Sequence, residues 1–277
     1  MINLNGTLKS PENFTLTLNN RAFKYGDGIF ETVKVLNDNV VFWEDHYFRL
    51  MSSMRMLRMK IPMSFTLEFL EAEILKTIKS QEASSSYRVR LSVYRQDGGL
   101  YTPTTNNIDY LIEVSPLKIQ EKTSYTVDLF KDFYNYSGLL STVKTNNRML
   151  NTLASVFASE NDLDNAILLN EKKGVVEATN GNIFIVKGNI IKTPALTEGC
   201  IKGITRGKII EIITKNGDFE VEETSISPFE IQKADEVFIT NAITGIQIVT
   251  NYRKKVFSRV VGDKLSNSLR ILQVLKK

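Results

Sequence analysis

The sequence has few of the residues that common metal sites and nucleophile sites require. Its 277 residues include one cysteine, Cys200, and one histidine, His46. A single cysteine excludes an internal disulfide and a cysteine cage for a metal. A single histidine argues against a zinc site, and any Ser–His or Cys–His pair would have to use that one ring. We therefore expect no metal at the functional site.

Long hydrophobic runs and a strong charge of one sign are also absent. No stretch of about 18 apolar residues occurs, which predicts that no segment spans a membrane. The first six residues lack the apolar core of a signal peptide. The net charge is only +4, from 35 basic and 31 acidic residues, which argues against nucleic acid as the main partner. We expect a cytoplasmic protein that binds neither membrane nor nucleic acid.

Hydrophobic periodicity predicts a mixture of helices and strands. Apolar residues recur at helical spacing in the segments 44–59, 66–80, 206–215 and 263–275. Short segments such as Tyr87–Tyr94 and Ile183–Val186 are typical of strands, and Asn5-Gly6 is a hairpin signal. We predict an α+β fold with an N-terminal domain over residues 1–117, a linker over 118–124 and a C-terminal domain over 125–277.

Three local features suggest chemistry, and each also has a purely structural explanation. The segment Gly203–Arg206 opens a predicted helix whose backbone N–H groups suit a phosphate, but threonine is also an ordinary helix cap. Glu177 ends an apolar strand, where its carboxylate faces either a cleft or solvent. Lys144 precedes another predicted helix, a position where lysine is usually a surface residue. None of the three is decisive alone.

Taken together, these segments resemble a known family. They are similar to the class IV aminotransferases of pyridoxal phosphate (PLP) fold type IV, which include branched-chain and D-amino acid aminotransferases and 4-amino-4-deoxychorismate lyase. The resemblance covers nearly the whole chain and is carried by Arg21–Thr32, Asp45–Leu50, Lys144–Arg148, Glu177–Phe184, Thr193-Pro194, Gly203–Arg206 and Asp235–Ala242. It implies a two-domain fold like that of D-amino acid aminotransferase, with the cofactor in the cleft between the domains.

The resemblance also implies a cofactor and roles for particular residues. The cofactor would be PLP, carried by Lys144 of the C-terminal domain as a Schiff base, and Lys144 would then move the proton at the reacting carbon. Glu177 would pair with the pyridine nitrogen of the cofactor. His46 would have a structural role close to Arg49. The phosphate would be held by Arg49, Ile204, Thr205, Asn241 and Ala242.

Within the family, the sequence favours the lyase over the transaminases. Arg148 stands where branched-chain transaminases usually have tyrosine, and Ala242 stands where transaminases often have threonine; in both places the lyase is similar to this chain. The lyase would release 4-aminobenzoate and pyruvate, a step of folate biosynthesis. Tyr25 aligns with a pocket tyrosine of branched-chain transaminases and favours the alternative, a branched-chain or D-amino acid aminotransferase.

Substrate and partner contacts follow from the same resemblance. Arg90 lies on a strand where the family has a cation for a substrate carboxylate. The lyase substrate has two carboxylates, and Arg148 or Arg95 could supply a second cation. The family also implies a homodimer, in which the loop Gln96–Asn107 and the Tyr25 region are candidates for crossing the interface.

Overall fold

The computed structural model describes residues 1–118 and 122–275, and within them the chain divides into two compact units. Unit 1 contains Met1–Lys118 and Lys144–Asn147; unit 2 contains residues 122–143 and Arg148–Leu275. The sequence assigned Lys144 to the C-terminal domain, but its segment groups with unit 1, because backbone hydrogen bonds join it to Gly28 and Phe30. The predicted linker includes residues 119–121, which lie outside the described residues.

Unit 1 is built on one antiparallel sheet. Its elements are β1 (Ile2–Leu4), β2 (Thr7–Lys9), α1 (Arg21–Tyr25), β3 (Gly28–Leu36), β4 (Asn39–Val40), α2 (Trp43–Met56), α3 (Leu67–Lys79), β5 (Ser86–Arg95) and β6 (Ile108–Pro116). The strand order is β2-β1-β6-β5-β3-β4. The hairpin predicted at Asn5-Gly6 is confirmed: both residues have positive φ, 50° and 84°, as a tight turn between β1 and β2 requires.

The two longer helices of unit 1 cover the sheet with apolar faces. α2 lies against β3, and α3 lies against β6. Thr66 caps α3 by accepting a hydrogen bond from the Phe69 amide at 3.1 Å. The buried side chains of these helices recur at helical spacing and include Leu50, Met51, Met54, Leu70, Ile74 and Ile78. α2 thereby holds its polar residues His46 and Arg49 close to β3.

Unit 2 contains two five-stranded sheets. Its elements are β7 (Thr126–Phe130), α4 (Met149–Glu160), β8 (Asn165–Leu169), β9 (Val175–Ala178), β10 (Asn182–Lys187), β11 (Ile190–Pro194), α5 (Ile204–Asn216), β12 (Glu220–Thr224), α6 (Pro228–Lys233), β13 (Glu236–Asn241), β14 (Gly245–Val249), β15 (Asn251–Tyr252), β16 (Lys255–Val256) and α7 (Val260–Leu275). The strand orders are β12-β11-β10-β13-β14 and β16-β15-β7-β8-β9.

Side chains along β10 and β13 point alternately to the two faces of their sheet, one of which lies against the apolar core. Ile183 and Ile239 belong to a buried apolar cluster that also takes side chains from β7 and β8. Phe184 and Phe238 leave the opposite face and stack with their ring centroids 5.0 Å apart. Asn182 and Thr240 are paired in register and share this second face. Polar side chains therefore flank the Phe184–Phe238 pair on this face, with Asn182 and Thr240 at one end and Glu236, paired with Val186, at the other.

The helices of the described segments are short. The longest, α7, has 16 residues. Across residues 1–118 and 122–275, no helix combines the length and the hydropathy needed to cross a lipid bilayer.

Candidate functional site

The Lys144 segment extends the sheet of unit 1 at the start of β3. The Phe30 amide donates to the Lys144 carbonyl at 3.0 Å, and the Asn146 amide donates to the Gly28 carbonyl at 2.8 Å. Thr145 forms an antiparallel bridge with Ile29. Side chains alternate between the two faces of such a pairing, so Lys144 and Asn146 lie on the same face as Phe30.

Two cationic side chains lie over the ring of Phe30. The guanidinium carbon of Arg90 is 3.7 Å from the ring centroid, and the Lys144 amine nitrogen is 4.5 Å from it. A positive group over an aromatic face is stabilised by the ring quadrupole. The strand register explains the arrangement, because Arg90 on β5 is paired with Thr32 and so faces the same side as Phe30. An amine capable of bonding to PLP thus lies near a cation capable of binding a carboxylate.

Arg90 is held in place by few polar contacts. Its Nε donates to Ser92 Oγ at 3.2 Å, and its Nη2 donates to Asn146 Oδ1 at 3.4 Å. Glu113 is 3.9 Å away and half-exposed. Burial lowers the pKa of Arg90, and the charge of Glu113 opposes that change. Within the described residues Nη1 of Arg90 donates to no acceptor, so the guanidinium can still bind a carboxylate.

The face that carries Arg90 is basic over several residues. In the β3–β5 register, Lys34 is paired with Arg88 and Thr32 with Arg90, so all three basic side chains leave the same face of the sheet. Lys34 is buried and Arg88 is exposed. This row provides more than one positive charge beside Lys144, which suits a substrate with more than one carboxylate.

A buried ionic cluster lies on the α2 side of β3. Glu31 accepts hydrogen bonds from Arg49 Nε at 2.8 Å and from Arg49 Nη2 at 2.5 Å, and His46 Nδ1 lies 2.7 Å from the same carboxylate. His46 and Arg49 are three residues apart on α2, so both face β3. Glu31 and His46 are almost completely buried. Arg49, which the sequence predicted to bind phosphate, is thus oriented by Glu31.

The charges of this cluster follow from its contacts. Burial would raise the pKa of Glu31, but the Arg49 charge and hydrogen bonds from Arg49 and His46 outweigh it and lower the pKa to about 2. Burial lowers the pKa of His46 below its usual value, against the opposing effect of Glu31. The ionised carboxylate can only accept, so neutral His46 must carry its proton on Nδ1. This geometry supports a structural role for His46.

In unit 2, Glu177 is buried at β9. Its Oε2 accepts a hydrogen bond from the Ile201 amide at 2.9 Å. The neighbouring thiol of Cys200 is kept protonated, because burial and then the charge of Glu177 raise the pKa of Cys200 to about 12. Cys200 is therefore not a nucleophile. Glu177 is a candidate for binding a protonated ring nitrogen, as the sequence predicted.

The first turn of α5 presents backbone donors. Gly203 is the N-cap residue, and no side chain accepts a hydrogen bond at this cap. An added Cβ at Gly203 would lie 2.0 Å from Asn182 Oδ1, so only glycine fits here. Asn182 also donates to the Ile201 carbonyl at 2.8 Å. The amides of Ile204 and Thr205 thus lie at a helix start whose geometry suits an anion.

The end of β13 lies on the same face as Asn182. The Oγ1 atom of Thr240 is buried and has no hydrogen-bond partner among the described residues. Asn241 accepts from the amides of Ile243 and Thr244 at 3.0 and 2.9 Å, which fixes the turn that contains Ala242. A buried hydroxyl without a partner is costly unless a ligand completes it. Thr240 was not predicted; its only signal is its position beside Asn241-Ala242.

Three other predicted residues have different surroundings. Arg148 is the N-cap residue of α4 and donates to the Val143 carbonyl at 2.9 Å. The ring of Tyr25 lies 5.6 Å from that of Tyr101 and under the guanidinium of Arg21. Arg95, suggested as a second substrate cation, is buried, and its guanidinium hydrogen bonds to Asp27, to Asn106 and to the Leu57 carbonyl. Those internal contacts do not support the suggestion for Arg95.

The family follows from the whole-chain comparison. The profile described as amino-transferase class IV matches residues 28–252. This chain belongs to that family. It is 31% identical over 270 residues, 95% of this chain and 90% of the relative, to a Methanocaldococcus jannaschii protein provisionally named a branched-chain-amino-acid aminotransferase. It is 26% identical over 242 residues, 84% of this chain and 86% of the relative, to an aminodeoxychorismate lyase of Vibrio harveyi.

Solved structures confirm the predicted fold, PLP fold type IV. A branched-chain aminotransferase from Thermoproteus uzoniensis with norvaline superimposes with a TM-score of 0.91 at 24% identity, covering 100% of this chain and 95% of that one. A branched-chain aminotransferase from Thermobaculum terrenum in its PLP form gives 0.86 at 20% identity, covering 99% and 94%. PLP is the cofactor of this class IV enzyme, as the sequence predicted.

Proposed function

We propose that the protein is a 4-amino-4-deoxychorismate lyase, which forms 4-aminobenzoate and pyruvate with Lys144 as its catalytic residue. The observation that carries the proposal is the basic face of unit 1, where the Lys144 amine and the Arg90 guanidinium both lie over Phe30. Lys34 and Arg88 extend this face by the register of β3 and β5. A reactive amine beside several cations suits an amino substrate with two carboxylates.

Unit 1 would provide the proton transfer and the substrate contact. PLP, when bound, accepts the electron pair left on the amine-bearing carbon after its proton is removed. Lys144 would carry the cofactor and then take that proton, because its amine is the basic group on this face that bonds to PLP. Arg90, which lies on Phe30 and donates to Ser92, would hold one substrate carboxylate.

Further contacts to the cofactor would come from a carboxylate and from backbone donors. Glu177, buried at β9, would keep the pyridine nitrogen protonated. The helix start at Ile204 and Thr205 and the turn at Asn241 and Ala242 would hold the phosphate. Arg49 would contribute its guanidinium to the same phosphate. The fit is supported by three features: the absence of a side-chain cap on α5, the small space at Gly203, and the buried Thr240 hydroxyl without a partner in the described residues.

The choice of lyase over transaminase depends on two positions. Ala242 offers no hydroxyl, and the turn around it is closed by the Asn241 side chain instead. Arg148 adds a cation at the start of α4, where the transaminase pattern has a tyrosine. Elimination needs little beyond proton removal, because pyruvate leaves from the neighbouring part of the substrate and the ring that remains becomes aromatic. Two carboxylates on the substrate also match the basic row better than one apolar side chain does.

A branched-chain or D-amino acid aminotransferase is the second candidate. The 31% identity to the Methanocaldococcus jannaschii protein favours it. Tyr25 also favours it, since its ring is held in place between Arg21 and Tyr101. The two candidates share every step up to the removal of the proton, so they differ only in what leaves afterwards.

Product analysis separates the two candidates. The purified holoenzyme is given 4-amino-4-deoxychorismate in one assay, and 2-oxoglutarate with branched-chain or D-amino acids in another. We expect 4-aminobenzoate and pyruvate in the first assay and no glutamate in the second. Glutamate formation without 4-aminobenzoate would contradict the lyase.

The lysine assignment is tested separately. Lys144→Ala should lower turnover by at least about 10³-fold and remove the absorbance near 410 nm, because the amine both carries the cofactor and moves the proton. Its circular dichroism should match that of the wild type. Lys60→Ala, at an exposed lysine of the same unit, is the control and should keep wild-type turnover. Wild-type turnover in Lys144→Ala would overturn the assignment.

We also propose that the enzyme is a cytoplasmic homodimer. Leu100 and Tyr101 are 76% and 89% exposed, although buried Arg21 fixes their loop by donating to both of their carbonyl groups. Exposed apolar side chains on an ordered loop are typical of a contact surface. Sedimentation should give twice the chain mass, and Tyr101→Glu should shift the sample toward monomer. A wild-type monomer at micromolar concentration would contradict the dimer.

A further inference from the structure

Asn146 lies two residues after Lys144 and on the same face of unit 1. The backbone amide of Asn146 donates to the Gly28 carbonyl at 2.8 Å, and this bond places the Asn146 side chain above the start of β3. Its Oδ1 lies 3.4 Å from Arg90 Nη2. An added Cβ at Gly28 would lie 2.5 Å from Asn146 Nδ2, so the carboxamide occupies space that exists only because residue 28 is glycine. Asn146 therefore joins the Lys144 segment to Arg90.

The orientation of the Asn146 carboxamide follows from hydrogen-bond chemistry. A guanidinium has donors and no acceptor, so Oδ1 must face Arg90 and Nδ2 must face away from it. In residues 1–118 and 122–275, no group accepts from Asn146 Nδ2, and none accepts from Arg90 Nη1. Two half-buried neighbouring groups thus have donors that the described chain does not use.

We propose that Asn146 is a specificity-determining residue that binds a substrate carboxylate together with Arg90. One carboxylate oxygen would accept from the Arg90 guanidinium and the other from Asn146 Nδ2. This inference rests on the proposed function, since it needs a carboxylate-bearing substrate at Lys144. It adds a neutral donor to the substrate-carboxylate contacts, for which the sequence predicted only cations.

The existing contacts leave room for such a ligand. The distance of 3.4 Å between Arg90 and Asn146 is near the upper limit for a hydrogen bond, so the pair can readjust at little cost. Glu113, the acidic neighbour of Arg90, is 3.9 Å away and 50% exposed, and it neutralises the guanidinium weakly. A carboxylate bound by a guanidinium and an amide would satisfy both unused donors.

Two substitutions separate binding from positioning. Asn146→Ala removes both the donor and the acceptor. Asn146→Asp keeps an oxygen toward Arg90 but loses the Nδ2 donor and places a negative charge beside the substrate. We expect the KM for 4-amino-4-deoxychorismate and the Kd for 4-aminobenzoate to rise about tenfold in Asn146→Ala, with kcat within about twofold. The rise should be larger in Asn146→Asp, and the 410 nm absorbance should be unchanged in both.

An asparagine elsewhere in unit 1 serves as the matched control. Asn13→Ala, at an exposed asparagine of the same unit, should leave both constants at wild-type values. Wild-type KM and Kd in Asn146→Ala would overturn the inference. Wild-type values in the nearly isosteric Asn146→Asp would also overturn it, because Asn146 would then act only by positioning Arg90.

Failure of the proposed function would appear elsewhere, as a wild type that forms no 4-aminobenzoate. If the wild type is instead a transaminase, the KM for 2-oxoglutarate takes the place of the lyase constants, with the same expected order of variants. The inference on Asn146 is then supported or overturned by that order, independently of which product is made.

Discussion

Two arginines of unit 1, Arg49 on helix α2 and Arg90 on strand β5, have opposite surroundings. Arg49 binds Glu31 through two nitrogens at 2.8 and 2.5 Å, and its side chain is 12% exposed. Arg90 lies on Phe30, makes longer contacts with Ser92 and Asn146, and is 30% exposed. The first guanidinium is neutralised within the fold, whereas the second keeps most of its charge.

This difference indicates what each site can do. Because Glu31 balances its charge, Arg49 would act on a phosphate through directed hydrogen bonds and would add little net charge. Arg90 has no comparable partner, so an arriving carboxylate gains both hydrogen bonds and charge.

The same substitution at the two acidic partners gives the largest expected contrast. Glu31→Gln should lower the free energy of unfolding by about 3–5 kcal/mol, because it removes the buried carboxylate charge that holds both Arg49 and His46. Glu113→Gln should change it by less than about 0.5 kcal/mol, since Glu113 is half-exposed and 3.9 Å from Arg90. Urea unfolding of the two variants measures the contrast. Equal losses of unfolding free energy in the two variants would mean that Glu31 and Glu113 stabilise their arginines to the same extent.

The Glu31 cluster should also make stability depend on acid pH. The pKa of Glu31 is about 2 in the folded protein and 4.5 as its ordinary value, so its contribution is complete above about pH 4.5 and is lost as the pH falls toward 2. The lowered pKa of His46 acts in the same direction, starting as the pH falls below 6.5. Urea midpoints measured from pH 7 to pH 3 should fall, and should fall less steeply in Glu31→Gln. If the urea midpoints of the wild type and of Glu31→Gln fell in parallel with pH, the lowered pKa of Glu31 would be contradicted.

The sequence predicted much of this fold for local reasons. The dipeptide Asn5-Gly6 predicts its own turn, and the helical spacing of apolar residues predicts α2, α3 and α5, because neighbouring residues determine these features. The segment that carries Lys144 groups with unit 1 and not with its neighbours in sequence, because it is bonded to Gly28 and Phe30, more than a hundred residues away. No local sequence pattern predicts a backbone pairing between such distant segments.

The functional site shows the same difference between features set by neighbouring residues and features set by contacts with distant segments. Lys144 and Glu177 were predicted through the motifs that contain them. Asn146 and Thr240 lie inside such motifs but were not singled out, because their surroundings depend on other segments of the chain. The start of α6, by contrast, is marked by a local sequence pattern. Ser227 and Glu230 form a capping box at the start of α6, and the pattern Ser-x-x-Glu is visible in the sequence.

A smaller effect is expected from changing the geometry of Arg90 while keeping its charge. Arg90→Lys should raise the KM for a carboxylate substrate about tenfold, because an ammonium cannot bind a carboxylate bidentately or lie flat on Phe30. Stability should change by less than about 1 kcal/mol. Initial rates over a range of substrate concentrations, with urea unfolding alongside, provide both values. An unchanged KM would remove Arg90 from the substrate site.

The smallest effect concerns the contact that orients Arg90. Ser92 accepts from Arg90 Nε at 3.2 Å, and a neutral hydrogen-bond acceptor of this kind contributes about 1 kcal/mol. Ser92→Ala should therefore raise the KM by a few-fold, because the guanidinium then samples other orientations over Phe30, while kcat stays near the wild-type value. The matched control is Ser84→Ala, at an exposed serine of unit 1. If kcat fell with an unchanged KM, Ser92 would act on the chemistry at Lys144 and not on carboxylate binding, and the contrast between a fixed and an adjustable arginine would need a different cause.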